Sequence, residues 1–285
     1  MMQAQPMSLV EALVLGTVQG LTEFLPISST AHLRVVPALV GWSDPGVAYS
    51  AVIQLGSVVA LLAYFWKDIW QLATGAIGAL MKRDFTNLYF RQSVAIVVAT
   101  LPIGVLGLAL KHVLEAEGGP LRSLVVIGSA SVVMSILLFL AEKISKKERD
   151  MSQLGIKDGL LIGLGQAMAL IPGCSRSGST LTTALFLNIK RDDAARFSFL
   201  LGIPAVLLSG LLELKELYEL GKAGQLPTDS TTSVLVGFVV ATIVSYAAIW
   251  WLIKYLKNHS TMVFVIYRLV FGVAVLGLAL SNTIH

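Results

Sequence analysis

Six apolar runs, near residues 46–66, 92–110, 123–141, 197–214, 234–253 and 262–281, constrain this chain more than any other feature. Each is close to the roughly 20 residues that a helix needs to cross the hydrocarbon core of a bilayer. Lipid offers no hydrogen-bond partner to the backbone, so such runs must be helices unless they close into a barrel. No short alternating strands of the barrel kind occur. Of the 285 residues, 55% are hydrophobic and 13% charged; soluble domains carry roughly 25% charged residues. An ordinary cytosolic enzyme is therefore excluded.

The net charge is +4, but the basic residues sit mostly in loops. No aromatic-basic module that could read bases accompanies them, so no nucleic-acid partner is expected. Cys174 is the single cysteine, which excludes an internal disulfide and a cysteine-rich metal site. No basic segment precedes the first apolar stretch, so that stretch does not read as a removable signal peptide.

Two further apolar segments are interrupted. Residues 8–40 comprise a helix from Leu9 to Phe24, then Pro26 with a Ser-Ser-Thr turn, then a short piece from Ala31 to Val40. Proline disfavours helix for its predecessor and removes a donor, so the first helix stops near Leu25. Residues 155–188 repeat the arrangement, with a helix from Ile156 to Ile171, a break at Pro172-Gly173 and a helix from about Ser177 to Leu187. Gly16-Thr17-Val18-Gln19 precedes the first break as Gly163-Leu164-Gly165-Gln166 precedes the second. Three long spans follow each.

The expected fold is an all-α polytopic membrane protein with an inverted-topology internal repeat: six transmembrane helices plus two re-entrant helix-loop-helix hairpins. Repeat 1 covers about 1–141 and repeat 2 about 155–285, joined by a linker, 142–154, that is charged from Glu142 to Asp150. If each interrupted segment enters and returns, each repeat crosses three times. An odd number inverts the second repeat, so the two breaks enter from opposite faces and meet near the midplane. Residues 67–91, 142–196 and 254–261 hold most of the 21 Lys and Arg, which makes their side cytoplasmic. The other side holds Arg34, Lys111, Arg122, Lys215 and Lys222, with both termini and the mouth of the first break. The mixed stretch Asp68–Met81 is expected to lie at the interface without crossing.

Ionisable groups at membrane depth are costly and usually functional or paired. Gln19 and Glu23 lie four apart on one helical face, and their oxygens suit a divalent cation, Mg²⁺ or Ca²⁺. Ser28, Ser29 and Thr30 provide hydroxyls, Ser29 the better placed, and His32 can exchange a proton near neutrality. Arg176 matches phosphate geometry and stays protonated. Ser175, Ser177, Gly178, Ser179 and Thr180 flank it at the start of a helix, where free N–H groups attract anions. Plainer readings exist for each: Glu23 and Arg176 could only neutralise each other, and His32 could be a structural hydrogen-bonder. Ser28 or Ser177 could be only a cap, and Gln19 could bind a backbone carbonyl. Arg268, in the last span, is expected to pair with a carboxylate or snorkel, and Cys174 to be a small apolar filler.

These residues resemble the bacterial undecaprenyl-diphosphate phosphatase family, the bacitracin-resistance type of integral membrane enzyme. The stretch from Glu11 to His32 is similar to its first motif, Glu/Gln-x-x-x-Glu followed by Pro-x-Ser-Ser-Thr-x-His, and Pro172 to Thr180 is similar to its second. Ala31 stands where the family commonly has Gly, and Cys174 where it often has Thr. The resemblance implies removal of the terminal phosphate of undecaprenyl diphosphate, dependence on a divalent cation, and a site open to the periplasmic face of the inner membrane. It implies Glu23, Ser29, His32 and Arg176 as catalytic residues and a polyprenyl diphosphate lipid as partner. A membrane transporter or flippase for an anionic lipid is the competing expectation. A homodimer is compatible with apolar span surfaces, which face lipid as readily as a partner helix.

Overall fold

The computed structural model describes residues 7–110, 112–113, 121, 123–222 and 231–281; the loop residues Lys111 and Arg122 and the extreme termini lie outside them. Among the described residues the structure is helical. Helices α1 (Leu9–Thr22) and α2 (Ser29–Val40) are followed by α3 (Gly46–Lys82), α4 (Leu88–Ala109) and α5 (Leu124–Ile144). Then come α6 (Ile156–Ala167), α7 (Arg176–Phe186), α8 (Arg191–Lys222), α9 (Thr231–Asn258) and α10 (Met262–Leu280). Six of these, α3, α4, α5, α8, α9 and α10, are long and apolar enough to cross a membrane. The chain is thus a polytopic helical membrane protein.

Both interruptions precede a proline, but the helices stop earlier than the expected Phe24 and Ile171, and α2 starts at Ser29 rather than Ala31. Helix α1 starts on a capping box between Ser8 and Glu11 and ends at Thr22, with Glu23 as its C-cap. Helix α6 passes into a single 3₁₀ turn, Met168–Leu170, before Pro172. Helix α7 then starts at Arg176, one residue before the expected Ser177. The stretch Asp68–Met81 is not separate: it continues α3, whose 37 residues reach roughly 55 Å at 1.5 Å per residue. That exceeds the hydrocarbon thickness, so one end of α3 stands clear of it.

The packing interleaves the halves of the chain. Helix α1 packs chiefly on α9, and α6 packs chiefly on α4, while α5 packs on α10. Small residues allow these crossings, as expected where close backbone approach supplies the attraction. A Cβ added to Gly16 on α1 would lie 2.7 Å from the carbonyl oxygen of Gly237, and one added to Gly163 on α6 would lie 2.2 Å from that of Ala99. Phe24, at the first break, meets Phe199 of α8 edge-on at 5.5 Å between ring centroids.

The linker is tied down by polar contacts. Buried Glu142 accepts hydrogen bonds from Arg191 and from the Thr261 hydroxyl. Arg149 forms two 2.8 Å bonds to Asp158 at the start of α6. The Asp158 carboxyl is held below its usual range by that guanidinium.

Gly163→Ala is expected to destabilise the protein by about 1–3 kcal/mol, since the new methyl meets backbone that cannot step aside. Gly104→Ala, where an added Cβ meets nothing within 4 Å, is expected to leave the melting temperature in detergent unchanged or raised.

Candidate active site

Where the two breaks meet, a fully buried cation sits between them. The Arg268 guanidinium, on α10, donates to the carbonyl of Pro26 in the first break at 3.0 Å. It also donates to the carbonyls of Gly173 and Cys174 in the second, at 2.7 and 3.0 Å. The expectation of a carboxylate partner or a snorkelling side chain is therefore wrong. Carbonyls stranded by a broken helix need donors inside lipid, and a guanidinium offers five in a fixed fork. A second link crosses the breaks where Ser177 donates from Oγ to the Leu25 carbonyl at 3.1 Å.

Each break enters its second helix through a serine with positive φ. Ser28 has φ 77° and ψ 100°, and Ser175 has φ 68° and ψ 121°. For a residue with a Cβ this is strained backbone, of the kind that persists only when its surroundings over-determine it. The Ser175 hydroxyl caps α7 by accepting from Gly178 N–H at 3.1 Å. Ser28 occupies the corresponding position before α2, but its side chain makes no cap hydrogen bond.

A cavity of about 120 Å³ lies between the breaks. The first contributes Glu23, Ser28, Ser29 and Thr30; the second contributes Pro172, Gly173, Ser175 and Arg176. Glu23 is its centre. Its Oε2 accepts from Ser29 Oγ at 2.6 Å and from Gln19 Nε2 at 3.2 Å, and its Oε1 accepts from Arg176 Nη2 at 3.3 Å. The Glu23 and Arg176 side chains are only 10% and 12% exposed, so their charges are little screened. The first turns of α2 and α7 begin at the cavity, and both helix dipoles present their positive ends there.

Other predicted site residues stand behind this lining. Gln19 does not bind a backbone carbonyl; it joins Glu23 to the buried Ser57–Ser245 hydroxyl pair. Ser179 and Thr180 are fully buried and bond to the carbonyls of Cys174 and Arg176, while Thr180 also touches the Ser198 hydroxyl. Ser177 and Gly178 are buried in the same helix. His32 lies outside the lining too: its Nδ1 is 2.7 Å from the Ser28 carbonyl and its Nε2 is 2.7 Å from the Tyr267 hydroxyl. Cys174 is buried and free, as a filler should be.

Four residues of consequence were missed. Arg268 carried a signal, since a lone cation within an apolar span demands a reason. Gln54 of α3 lines the cavity and donates to Ser209 of α8 at 3.1 Å. A Cβ added to Gly202 would lie 1.6 Å from Arg176 Nη1, so this glycine makes the space that the guanidinium fills. Tyr267 faces His32. Gln54 carried a weaker signal of the same kind, an amide within an apolar run, whereas Gly202 and Tyr267 leave no mark that a sequence pattern could reveal.

The family described as Bacitracin resistance protein BacA matches residues 12–274. The chain belongs to that family. Among its relatives, an undecaprenyl-diphosphatase from Gloeobacter violaceus is 56% identical over 274 residues, 96% of this chain and 93% of that one. One from Trichormus variabilis is 52% identical over 96% of this chain and 84% of its own length. A third, from Synechococcus elongatus, is 50% identical over 99% of this chain and 97% of its own.

The donor set bears on the divalent cation. Among the described residues, no group of three or more His, Cys, Asp or Glu gathers that could hold a metal. The carboxylate and amides at hand are Glu23 and Gln54 in the cavity lining and Gln19 behind Glu23. That set fits Mg²⁺ or Ca²⁺ only when substrate phosphate and water complete the shell, a common arrangement for Mg²⁺.

Gly202→Ala is expected to displace the Arg176 guanidinium and, with Arg176 as the expected phosphate-binding group, to raise KM about tenfold or more, while the melting temperature changes little. Arg268→Met should cost about 1–3 kcal/mol for the buried Pro26 carbonyl left without a donor, the Gly173 and Cys174 carbonyls keeping the Ser131 and Ser179 hydroxyls, read as a lowered melting temperature.

Proposed function

We propose that this BacA-family chain hydrolyses undecaprenyl diphosphate to undecaprenyl phosphate and inorganic phosphate, recycling the lipid carrier for peptidoglycan and other envelope polymers. The observation that carries the reading is the convergence on Glu23: a hydroxyl at 2.6 Å and a guanidinium at 3.3 Å, in one cavity at two helix N-termini. An anionic substrate meets there a cation, two positive dipole ends and a hydroxyl paired with an acceptor. The comparisons give no support to a transporter.

Arg176 and the helix N-termini would clamp the diphosphate, with the polyprenyl tail remaining in lipid. Ser29 Oγ attacks the terminal phosphorus while its proton passes to the Glu23 carboxylate. The bond from that phosphorus to the bridging oxygen breaks, and the electron pair leaves with the lipid phosphate. Water then attacks the phosphoserine, releasing inorganic phosphate, and Ser29 takes its proton back from Glu23. Phosphoryl transfer needs little beyond positioning and charge stabilisation, and the fixed Arg176 and helix dipoles suit that demand. Glu23 and Gln19 would hold Mg²⁺ or Ca²⁺, which neutralises phosphate charge when bound.

The two-repeat organisation belongs to this proposal, with repeats at about 1–141 and 155–285. It is supported by the exchange of partners between halves, α1 on α9 and α6 on α4. Gly16, Gln19 and Ser28 also have the same spacing as Gly163, Gln166 and Ser175. With the breaks as re-entrant hairpins, loop charge puts both termini and the cavity mouth on the periplasmic side of the inner membrane. Assembly as a homodimer is part of the same reading.

Purified protein in detergent with Mg²⁺ or Ca²⁺ should release phosphate from a polyprenyl diphosphate. Arg176→Ala, Glu23→Ala and Ser29→Ala should each lower turnover by about 10²-fold or more while remaining folded, and acid quenching should trap phosphate on wild-type enzyme but not on Ser29→Ala. Undiminished turnover in Arg176→Ala and Glu23→Ala would reject the site.

A further inference from the structure

We infer that His32 is a positioning residue, which pins the strained Ser28 turn that presents Ser29, and that Tyr267 fixes the tautomer it needs for this. The inference rests on the phosphatase reading for its kinetic consequences and on geometry alone for the tautomer.

The Ser28 carbonyl can only accept a hydrogen bond, so the 2.7 Å contact requires the proton on His32 Nδ1. In the neutral ring Nε2 then lacks a proton and must accept, and the Tyr267 hydroxyl at 2.7 Å is the donor. The ring is held flat by stacking on Phe271, 4.3 Å between centroids, and on Tyr267 at 5.6 Å. Both nitrogens are thus engaged and the ring is 5% exposed, outside the cavity lining.

What His32 holds matters to the chemistry. Ser28 has φ 77°, a conformation that costs of order 1–3 kcal/mol and needs fixing by its neighbours. Its side chain makes no cap bond. The next residue is Ser29, whose hydroxyl already has an acceptor for its proton in Glu23. Two consecutive residues of α10 therefore hold the first break: Tyr267 through His32 onto the Ser28 carbonyl, and Arg268 directly onto the Pro26 carbonyl.

Asparagine separates the two roles, because its Nδ2–H can stand where histidine has Nδ1–H but cannot shuttle a proton. His32→Asn is expected to keep kcat within about tenfold of wild type, and His32→Ala to lose about 10²-fold, with KM nearly constant in both. General acid–base catalysis is itself worth about 10²–10⁴-fold, so a proton-transfer role predicts that His32→Asn fails as badly as His32→Ala. Folded His32→Asn protein with that loss would overturn the inference. If His32→Ala does not fold, the comparison of His32→Asn with wild type decides alone. Tyr267→Phe should lower kcat severalfold in wild type and add nothing in His32→Asn, which has no Nε2; equal losses on both backgrounds would refute the role of Tyr267.

A measurement that needs no turnover keeps this apart from the phosphatase reading. In protein with ¹⁵N-labelled histidine, the signal that disappears in His32→Asn should report a neutral ring protonated at Nδ1. A signal protonated at Nε2 alone would sink the inference whatever the enzyme hydrolyses. Absence of phosphate release from wild type, beside the Nδ1 signal, would sink the substrate assignment and leave the tautomer standing.

Discussion

The fold depends on one buried guanidinium. Two helices end within an apolar protein, and each end strands carbonyls that water cannot reach. Arg268 answers both with a single side chain, donating to Pro26 on one side and to Gly173 and Cys174 on the other. Its position explains why the breaks stay together although some 150 residues of sequence separate them. A charge at this depth is tolerable because three dipoles face it. It leaves the carboxylate of Glu23 to Arg176, so one cation ties the breaks together and the other faces the cavity.

That division shapes the surroundings. Gly202 clears the volume taken by Arg176, and the Ser57–Ser245 hydroxyl pair anchors Gln19 behind Glu23. These supports come from α3, α8 and α9, so the site is held by long helices on all sides rather than by its own loops. Groups fixed this way need little rearrangement as charge shifts during phosphoryl transfer, which is where preorganised sites gain most.

The sequence is informative wherever a residue type conflicts with lipid. Pro26 and Pro172 mark the breaks, and Glu23, Ser29 and Arg176 stand out as polar groups without an aqueous excuse. It is uninformative where function depends on phase and on backbone. Helix α7 begins at Arg176, and with that start Ser177, Ser179 and Thr180 turn inward while Ser175, of the serines in the second break, faces the cavity. The phase is set by a strained turn held by local caps and by Arg268, far along the chain. Arg268 was misread because a span arginine suggests a carboxylate, and its true partners, carbonyls, are written into no residue type. His32 was legible as a polar residue near the break, but not which way its ring turns. That orientation comes from Tyr267 and Phe271, which look like ordinary lipid-facing aromatics.

The interleaved halves bear on how the protein is made. Of the described helices α1 is made first, yet its main neighbour, α9, is made last but one. Until α9 arrives, the Gly16 face has nothing to close against, and Arg268 on α10 comes later still. The first break must therefore wait, its carbonyls satisfied by other means, for most of translation. Insertion and maturation are consequently separate events, and the site comes into being only when the final helix docks.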